Sequence, residues 1–517
     1  MPYHALIAQN DYEKPWYFCV PNDTLASAGI DSAYQFLTNI YPEEVIVAVI
    51  DAGTDINHKD LTDNLWMNKD EIAGNGIDDD NNGYIDDIHG WNFLGNQEGK
   101  NIQGAPFEYV RIYDTLSKKY DSLQLITTEP GRNTELDLYR EISDLYHSKL
   151  DYYRRLLRYY DKILQSYSEA NTILNNHFDE KQYSYEDIKA IDSERRDIKW
   201  AVKYYTTLKS KGLERDHVES RVRVIQSILK SKLNPDYKPR QIIGDDVTDI
   251  NDSIYGNNDL DGGTASHGTA VAGVIGASRN NSFGIRGIAP KVRIMPIRAI
   301  PGGDEWDKDV ALAIRYAVNN GADIINGSFG KMYSPYKYMV DSAIKYAEEN
   351  NVLIVVGAGN DQKNNEIRPN YPNKYYSNGK EAKNVIVVGA STKDLGQNLV
   401  ADFSNYGKDQ VDLFAPGVDI QALNTNDRVR KISGTSAAAP VVSGIAALIK
   451  AYYPEIPADI LKEVIMKSTM KYPFLNVKVP GNEKAELPFF YFCQTAGIIN
   501  AAKAIALTKE YYRKGRF

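Results

Sequence analysis

Cysteine is almost missing: 517 residues contain two, Cys19 and Cys493. No disulfide framework and no cysteine-built zinc centre can come from that; one bridge between the chain ends is conceivable, and two free thiols is the simpler expectation. A basic excess is missing as well. Lys and Arg number 60 against 69 Asp and Glu, for a formal net charge of -9, so the positive face that nucleic acid requires is absent and nucleic acid is excluded as a partner. No run reaches the ~18 apolar residues that cross a bilayer, so no transmembrane segment is expected. What remains is ordinary for a globular chain, 43% hydrophobic and 25% charged, and long enough for more than one folding unit.

Short continuous apolar runs mark strands buried on both faces. Val45–Ile50 ends in Asp51; further runs lie at 323–326, 352–356 and 385–388. Between them Val310, Ile314, Ala317 and Val318 form a helical stripe that Gly321 closes as a C-cap. This alternation predicts an α/β fold with a parallel sheet, whose sites gather at the carboxyl ends of the strands. Asp51, Asn326 and the turn Gly357-Ala358-Gly359-Asn360 fall there.

Residues 105–240 are different: rich in Tyr, Lys, Arg, Asp and Glu, poor in glycine. Tyr146, Leu150, Tyr153, Leu157, Tyr160 and Leu164 make one seam at helical spacing. Ile188, Ile191, Ile198, Val202 and Tyr205 make a second. Two seams facing one another predict an inserted antiparallel helical hairpin, with charged faces of mixed sign outward. Both its ends return to the α/β fold, so it is expected as an arm near the site, able to limit access or dock a partner.

Gly434-Thr435-Ser436-Ala437-Ala438-Ala439-Pro440 places a hydroxyl at the start of an otherwise apolar helix. The unpaired N–H groups and positive dipole end there suit a developing oxyanion, and Pro440 falls in about the first turn, where proline costs least. His267 lies among small residues, Ser266-His267-Gly268-Thr269-Ala270, that let a helix pack closely. In chain order Asp51, His267 and Ser436 supply an orienting carboxylate, a general base and a nucleophile. Asn360 offers an amide donor to pair with the Ser436 N–H.

These motifs resemble those of the subtilisin-like serine proteases, whose chain order is also Asp, His, Ser. The resemblance covers roughly residues 40–95 and 245–455, and extends to Gly287-Ile288-Ala289-Pro290, Asn326–Gly330, Phe403–Gly407 and Ala415-Pro416-Gly417. It implies a three-layer α/β fold with a central, mostly parallel sheet in residues 41–104 and 241–517, an N-terminal extension over 1–40 and the helical insertion over 105–240. It implies a serine endopeptidase acting on polypeptides. Ser328, Phe329 and Gly330, with Ala358 and Gly359, would pair with extended substrate and line its pocket. A catalytically silent binding or scaffold protein on the same fold is the alternative. Ala270 stands where the family usually has a second histidine, Ala437 where it has methionine. The roughly 215 residues between Asp51 and His267 exceed any ordinary loop. Only about 40 residues precede the first strand, too few for the folding pro-domain many members carry. Ala5–Gln9 looks like the end of a signal peptide lacking its beginning, which with the resemblance leads us to expect a secreted or envelope-associated bacterial protein.

Calcium is the expected cofactor. Asp78-Asp79-Asp80-Asn81-Asn82-Gly83-Tyr84-Ile85-Asp86 follows the first half of an EF-hand loop, with Asp78, Asp80, Asn82, Asp86 and the Tyr84 carbonyl as oxygen donors; His89 stands where the closing glutamate belongs. By resemblance rather than spacing, Asp60 and Asn281 would hold a second calcium, with the carbonyls of Arg279, Phe283 and Ile285.

Overall fold

The computed structural model describes residues 14–38, 40–120 and 134–517; the Ala5–Gln9 motif lies outside them. The chain divides into two compact units, one running up to Gln103 and resuming over Pro239–Phe517, the other Gly104–Lys238.

In the first unit the strands in chain order are β1 (Val45–Asp51), β2 (Trp91–Asn92), β3 (Val292–Arg298), β4 (Ile324–Gly327), β5 (Leu353–Gly357), β6 (Val385–Ser391) and β7 (Leu413–Pro416). β8 (Ile420–Asn424) and β9 (Arg428–Ile432) form an antiparallel hairpin. β10 (Met470–Lys471), the hairpin strands β11 (Asn476–Val479) and β12 (Asn482–Pro488), and β13 (Gly497–Ile498) follow. One nine-stranded sheet has the order β10-β13-β7-β6-β5-β4-β1-β3-β2, parallel throughout except for the β10–β13 edge pair.

The helices are α1 (Ile30–Phe36), then α2 (Glu108–Tyr120), α3 (Thr134–His177), α4 (Tyr185–Lys189), α5 (Arg196–Ser210) and α6 (Arg215–Ser227) in the inserted unit. Back in the first unit come α7 (Ser266–Gly276), α8 (Asp307–Asn319), α9 (Lys337–Glu349), α10 (Thr435–Tyr452), α11 (Ala458–Lys467) and α12 (Ala501–Arg513). Alternate strand residues feed two cores. Val45, Val47, Val49, Ile294 and Val355 pack with α7 and α10; Ala48, Ile50, Met295, Ile297 and Ile354 pack with α8 and α9 on the other face. α10 is buried almost end to end; it alone among the described helices has the length and hydropathy to cross a bilayer, and 83% of it is inside the unit.

Residues 14–38 are no detached extension. Tyr17, Phe18, Ile30 and Ala33 are buried in the α10 core, and the Ala501 N–H that opens α12 donates to Ala28 O at 2.8 Å.

The inserted unit corrects the two-helix hairpin. The first seam does run along one helix, the 44-residue α3, but the second is broken: Ile188 sits in α4, Ile191 in the link after it, and Ile198, Val202 and Tyr205 in α5. Asp179 and Glu180 adopt positive φ after α3, and a Ser184/Asp187 capping box starts α4 afresh. α3 buries its stripe in sections: Leu136 and Tyr139 with Tyr120 of α2; Tyr160, Ile163 and Tyr167 with Leu208, Val218 and Val222 of α5 and α6; and Ala170 and Leu174 with Ile188 and Ala201.

Candidate active site

β1 delivers Asp51 to its carboxyl end, 3% exposed, where the Ala52 N–H donates to Oδ1 at 2.7 Å. Both carboxylate oxygens face His267 Nδ1, at 2.8 and 2.9 Å. The two meet because α7 starts against the end of β1. A Cβ on Gly268 would stand 2.1 Å from Gly53 O and 3.0 Å from Asp51 Cβ, so only glycine permits that approach. Thr264 Oγ1 donates to Ala52 O at 2.6 Å, and Thr269 Oγ1 accepts the Asp55 N–H at 2.8 Å, fastening the segments on either side. The Asp51 carboxylate raises the His267 imidazole above its ordinary pKa, against burial and the nearby Arg430 charge.

β4 and β5, the next strands over, carry the rest. Ser443 Oγ in the middle of α10 donates to Asn326 Oδ1 (2.8 Å), Asn326 Nδ2 to Ser328 Oγ (2.9 Å), and Ser328 Oγ to the Ser436 carbonyl (3.1 Å). This buried chain pins the first turn of α10 to the end of β4. Asn360 Oδ1 accepts the Thr435 N–H at 2.8 Å and Thr435 Oγ1 at 3.2 Å, which leaves its Nδ2 as the outward donor. A Cβ on Gly434 would stand 2.9 Å from Ser436 Oγ and 3.6 Å from Asn360 Nδ2; at φ 154° the glycine keeps open the space that hydroxyl and amide border. Ser436 Oγ makes no hydrogen bond among the described residues, and its N–H belongs to the first helical turn, which has no intrahelical acceptor.

Comparison with known proteins fits this layout. The sequence profile described as the Subtilase family matches residues 43–489, most of the chain. The chain belongs to the subtilase family. This subtilase is 38% identical over 217 residues to "Thermophilic serine proteinase" of Bacillus sp. (strain AK1), covering 42% of this chain and 48% of the relative. It is 33% identical over 231 residues to "Cell wall-associated protease" of Bacillus subtilis (strain 168), covering 44% and 24%. With "Thermitase" of Thermoactinomyces vulgaris it shares 34% over 218 residues, 42% and 70% of the two chains. It spans about half the length of the first of these relatives and a quarter of the second.

The segments Ser328–Gly330 and Ala358–Gly359 are brought together, with an addition. Cβ atoms on Gly330 and Gly359 would meet Asn370, at 2.3 Å from its Nδ2 and 3.4 Å from its Cγ, so this nearly buried amide sits between the two segments. Asn405 braces the loop after β5, accepting the Asp361 and Lys363 N–H groups and donating to Ala358 O. Phe329 packs beneath, its ring near the Gly327 backbone. Asn370 was not expected from the sequence, because nothing local distinguishes it from a turn residue; Thr435 and Asn405 lie in motifs noted there, but no role was assigned to them. Arg298, fully buried beside Asp51 in the β1–β3 register, donates to Ala52 O, Asn92 Oδ1 and Ile102 O at 3.0, 2.9 and 2.6 Å. Burial lowers its pKa to about 10.

The calcium candidates divide. In the 78–86 loop, Asp78 turns its oxygens to the Asn82 and Gly83 N–H groups, and Asp86 to those of Gly74, Asn75 and Gly76. Asn82 Oδ1 accepts the Tyr84 N–H, and the Tyr84 ring packs on Trp91, Phe93 and Tyr316. Asp80 is gathered instead with Glu71 and Asp87, their oxygens within 4.8 Å of one another. No Lys or Arg among the described residues pairs with these three, and burial pushes the Asp87 carboxyl up to about 6. Their oxygens accept backbone N–H groups and the side chains of Asn68, Asn82 and Tyr316, but no positive charge offsets them, and a set of hard oxygens of this kind is one that a divalent cation of the calcium class would take. Elsewhere Asp60, 1% exposed, accepts Asn281 Nδ2 at 2.7 Å and the Ile285 N–H at 2.8 Å, and a Cβ on Gly284 would collide with it. Burial raises its pKa as well. Cys19 and Cys493 are free thiols, and burial pushes the latter up to about 11.

Proposed function

We propose that this chain is a serine endopeptidase in which Ser436 Oγ attacks the peptide carbonyl, forming an acyl-enzyme. His267 accepts the hydroxyl proton and returns it to the leaving amine. Asp51 holds the Nδ1–H tautomer and stabilises the imidazolium. Asn360 Nδ2 and the Ser436 N–H receive the oxyanion. One observation carries the reading: the Asp51–His267 pair at 2.8 Å, formed where α7 starts against the end of β1, with β4 and β5, whose ends fix the start of α10 and Asn360, the next strands in the sheet. Ser328–Gly330 and Ala358–Gly359 would flank an extended polypeptide. The activity, substrate and partners of the whole protein are part of this proposal.

The decisive experiment is labelling by a fluorophosphonate. Wild type is expected to be labelled at Ser436 and to hydrolyse casein-type unfolded substrates, whereas Ser436→Ala loses both while melting at the same temperature. A folded wild-type protein that takes no label and cleaves nothing would make it a silent scaffold instead.

Calcium would be held by Asp80, Glu71 and Asp87, and by Asp60 with the Asn281 segment, where it neutralises buried carboxylates and stiffens the loops around β1 and β2. Work outside the cytoplasm or at the envelope of a bacterium is supported by the relatives' printed names. The inserted helices we assign to selecting among folded substrates or docking a partner.

A further inference from the structure

Beside His267 the tip of the β8–β9 hairpin and the segment Gly263–His267 border an open cleft of about 910 Å³. Ser266 Oγ donates to Asn424 Oδ1 at 2.8 Å, so hairpin and α7 are fixed to each other across it. Three aspartates line the cleft, and each uses at least one oxygen to hold its rim. Asp55 accepts the N–H groups of Asn57 and Asn426, each at 3.1 Å. Asp261 accepts the Gly263 N–H at 2.8 Å. Asp427 accepts the Lys59 N–H at 3.0 Å and pairs with Lys59 Nζ at 2.8 Å.

Arg430, on β9, is the exception. Its single hydrogen bond among the described residues is Nη2 to Ser266 O at 3.0 Å. Its Nε is buried with no partner among the described residues, and none of their carboxylates lies within ion-pair distance of it. A guanidinium carries five donors, and leaving a partly desolvated one with a single carbonyl is unfavourable; a planar carboxylate arriving at the end of the fork would take two parallel, charge-assisted bonds. The same guanidinium is near enough to His267 to oppose its protonation.

We propose that Arg430 anchors a substrate subsite in this cleft and binds a carboxylate of the polypeptide, from an Asp or Glu side chain or from the chain's C-terminus. This rests on the endopeptidase reading above, and it adds a preference which that reading does not contain. An acidic residue or a chain end docked here lies against the catalytic base, so the subsite selects which bonds reach Ser436.

The test uses the full chain and peptides in matched pairs: Glu against Gln scanned through each position, and free against amidated C-termini. Binding is measured to Ser436→Ala and to Ser436→Ala carrying Arg430→Gln, and hydrolysis to wild type. At one position, or at the terminus, the carboxylate form should bind Ser436→Ala about tenfold to a hundredfold more tightly. That ratio should fall to near one in Arg430→Gln and recover in part in Arg430→Lys, which keeps charge but not the fork. The Glu/Gln arm and the free/amidated arm tell the two carboxylate sources apart. A ratio near one throughout in Ser436→Ala, or a ratio indifferent to Arg430→Gln, overturns the subsite. Failure of wild type to cleave the neutral peptides overturns the endopeptidase reading, and the binding ratios are read independently of it.

Discussion

The two units solve burial differently. Around β1, α7 and α10 the packing relies on residues with no room to grow: Gly268 against Gly53 O, Gly434 beside Ser436 Oγ, and a run of alanines in a helix buried on nearly all sides. Around α3 the core is made mostly of tyrosines and aliphatic residues on one stripe, with long polar faces left in solvent. The first arrangement leaves no space for an added Cβ and tolerates almost no change. The second supplies apolar area and helical length, and many substitutions would serve. The proposed chemistry, which depends on placement, draws only on the first unit.

The contrast can be broken or sharpened by experiment. Asp51→Asn should have the largest effect. It removes the charge that raises His267 and reverses the tautomer preference, so kcat should fall by about 10⁴. Because Asp51 lifts the imidazole pKa, its loss should also move the acid limb of the kcat/KM profile to lower pH; a limb that stays put would mean the pair does not set the base.

Asn360→Ala comes next, with kcat down about 10²–10³ and KM little altered, since its bond strengthens as the oxyanion forms. A change in KM alone would reassign it to substrate binding.

Chelation should act on the first unit through stability. A cation held only by the folded state contributes about 2.7 kcal/mol at a concentration of 100 Kd, so removing it should lower Tm and calcium should restore it. Asp80→Ala and Asp60→Ala should each blunt that response. Identical melting curves with and without chelator would count against both sites.

The smallest effect is expected where the comparison is boldest. Replacing residues 108–238 by a short Gly/Ser linker should leave small-peptide turnover within about tenfold while changing selectivity among folded proteins. If turnover vanishes in a variant that still folds, the division of labour between the units is wrong.

Much of the first unit was legible because its chemistry is local. β1, β4, β5 and β6 are unbroken apolar runs, and Asp51, His267 and Ser436 each sit in a recognisable motif. β3 was not foreseen, since Arg293, Pro296 and Arg298 interrupt its pattern. The proline is tolerated because β2, the neighbour on that side, pairs only with Ile297 and Arg298. β9 escaped notice for a related reason: Arg428, Arg430 and Lys431 make a hairpin strand look like a surface loop. Helical periodicity also reads straight through a break, so Ile188 and Ile198 were assigned to one helix that the chain divides in two. The grouping of Glu71 and Asp87 with Asp80 could not be foreseen, because it depends on the path of the chain between them.

Arg298 gives the insertion a fixed boundary. It holds Ile102 O, and Gln103 Nε2 donates to Gly262 O at 2.5 Å, while on the return Arg240 grips Asp245 and Asp309 in the first unit through bidentate pairs at 2.5 to 2.8 Å. The chain is therefore clamped immediately before it leaves and immediately after it comes back. Both ends of the first unit where the insertion departs and returns are thus held by buried, charge-assisted hydrogen bonds to the first unit's own residues. What lies between could be lengthened, shortened or exchanged while those anchoring bonds of the first unit stay in place.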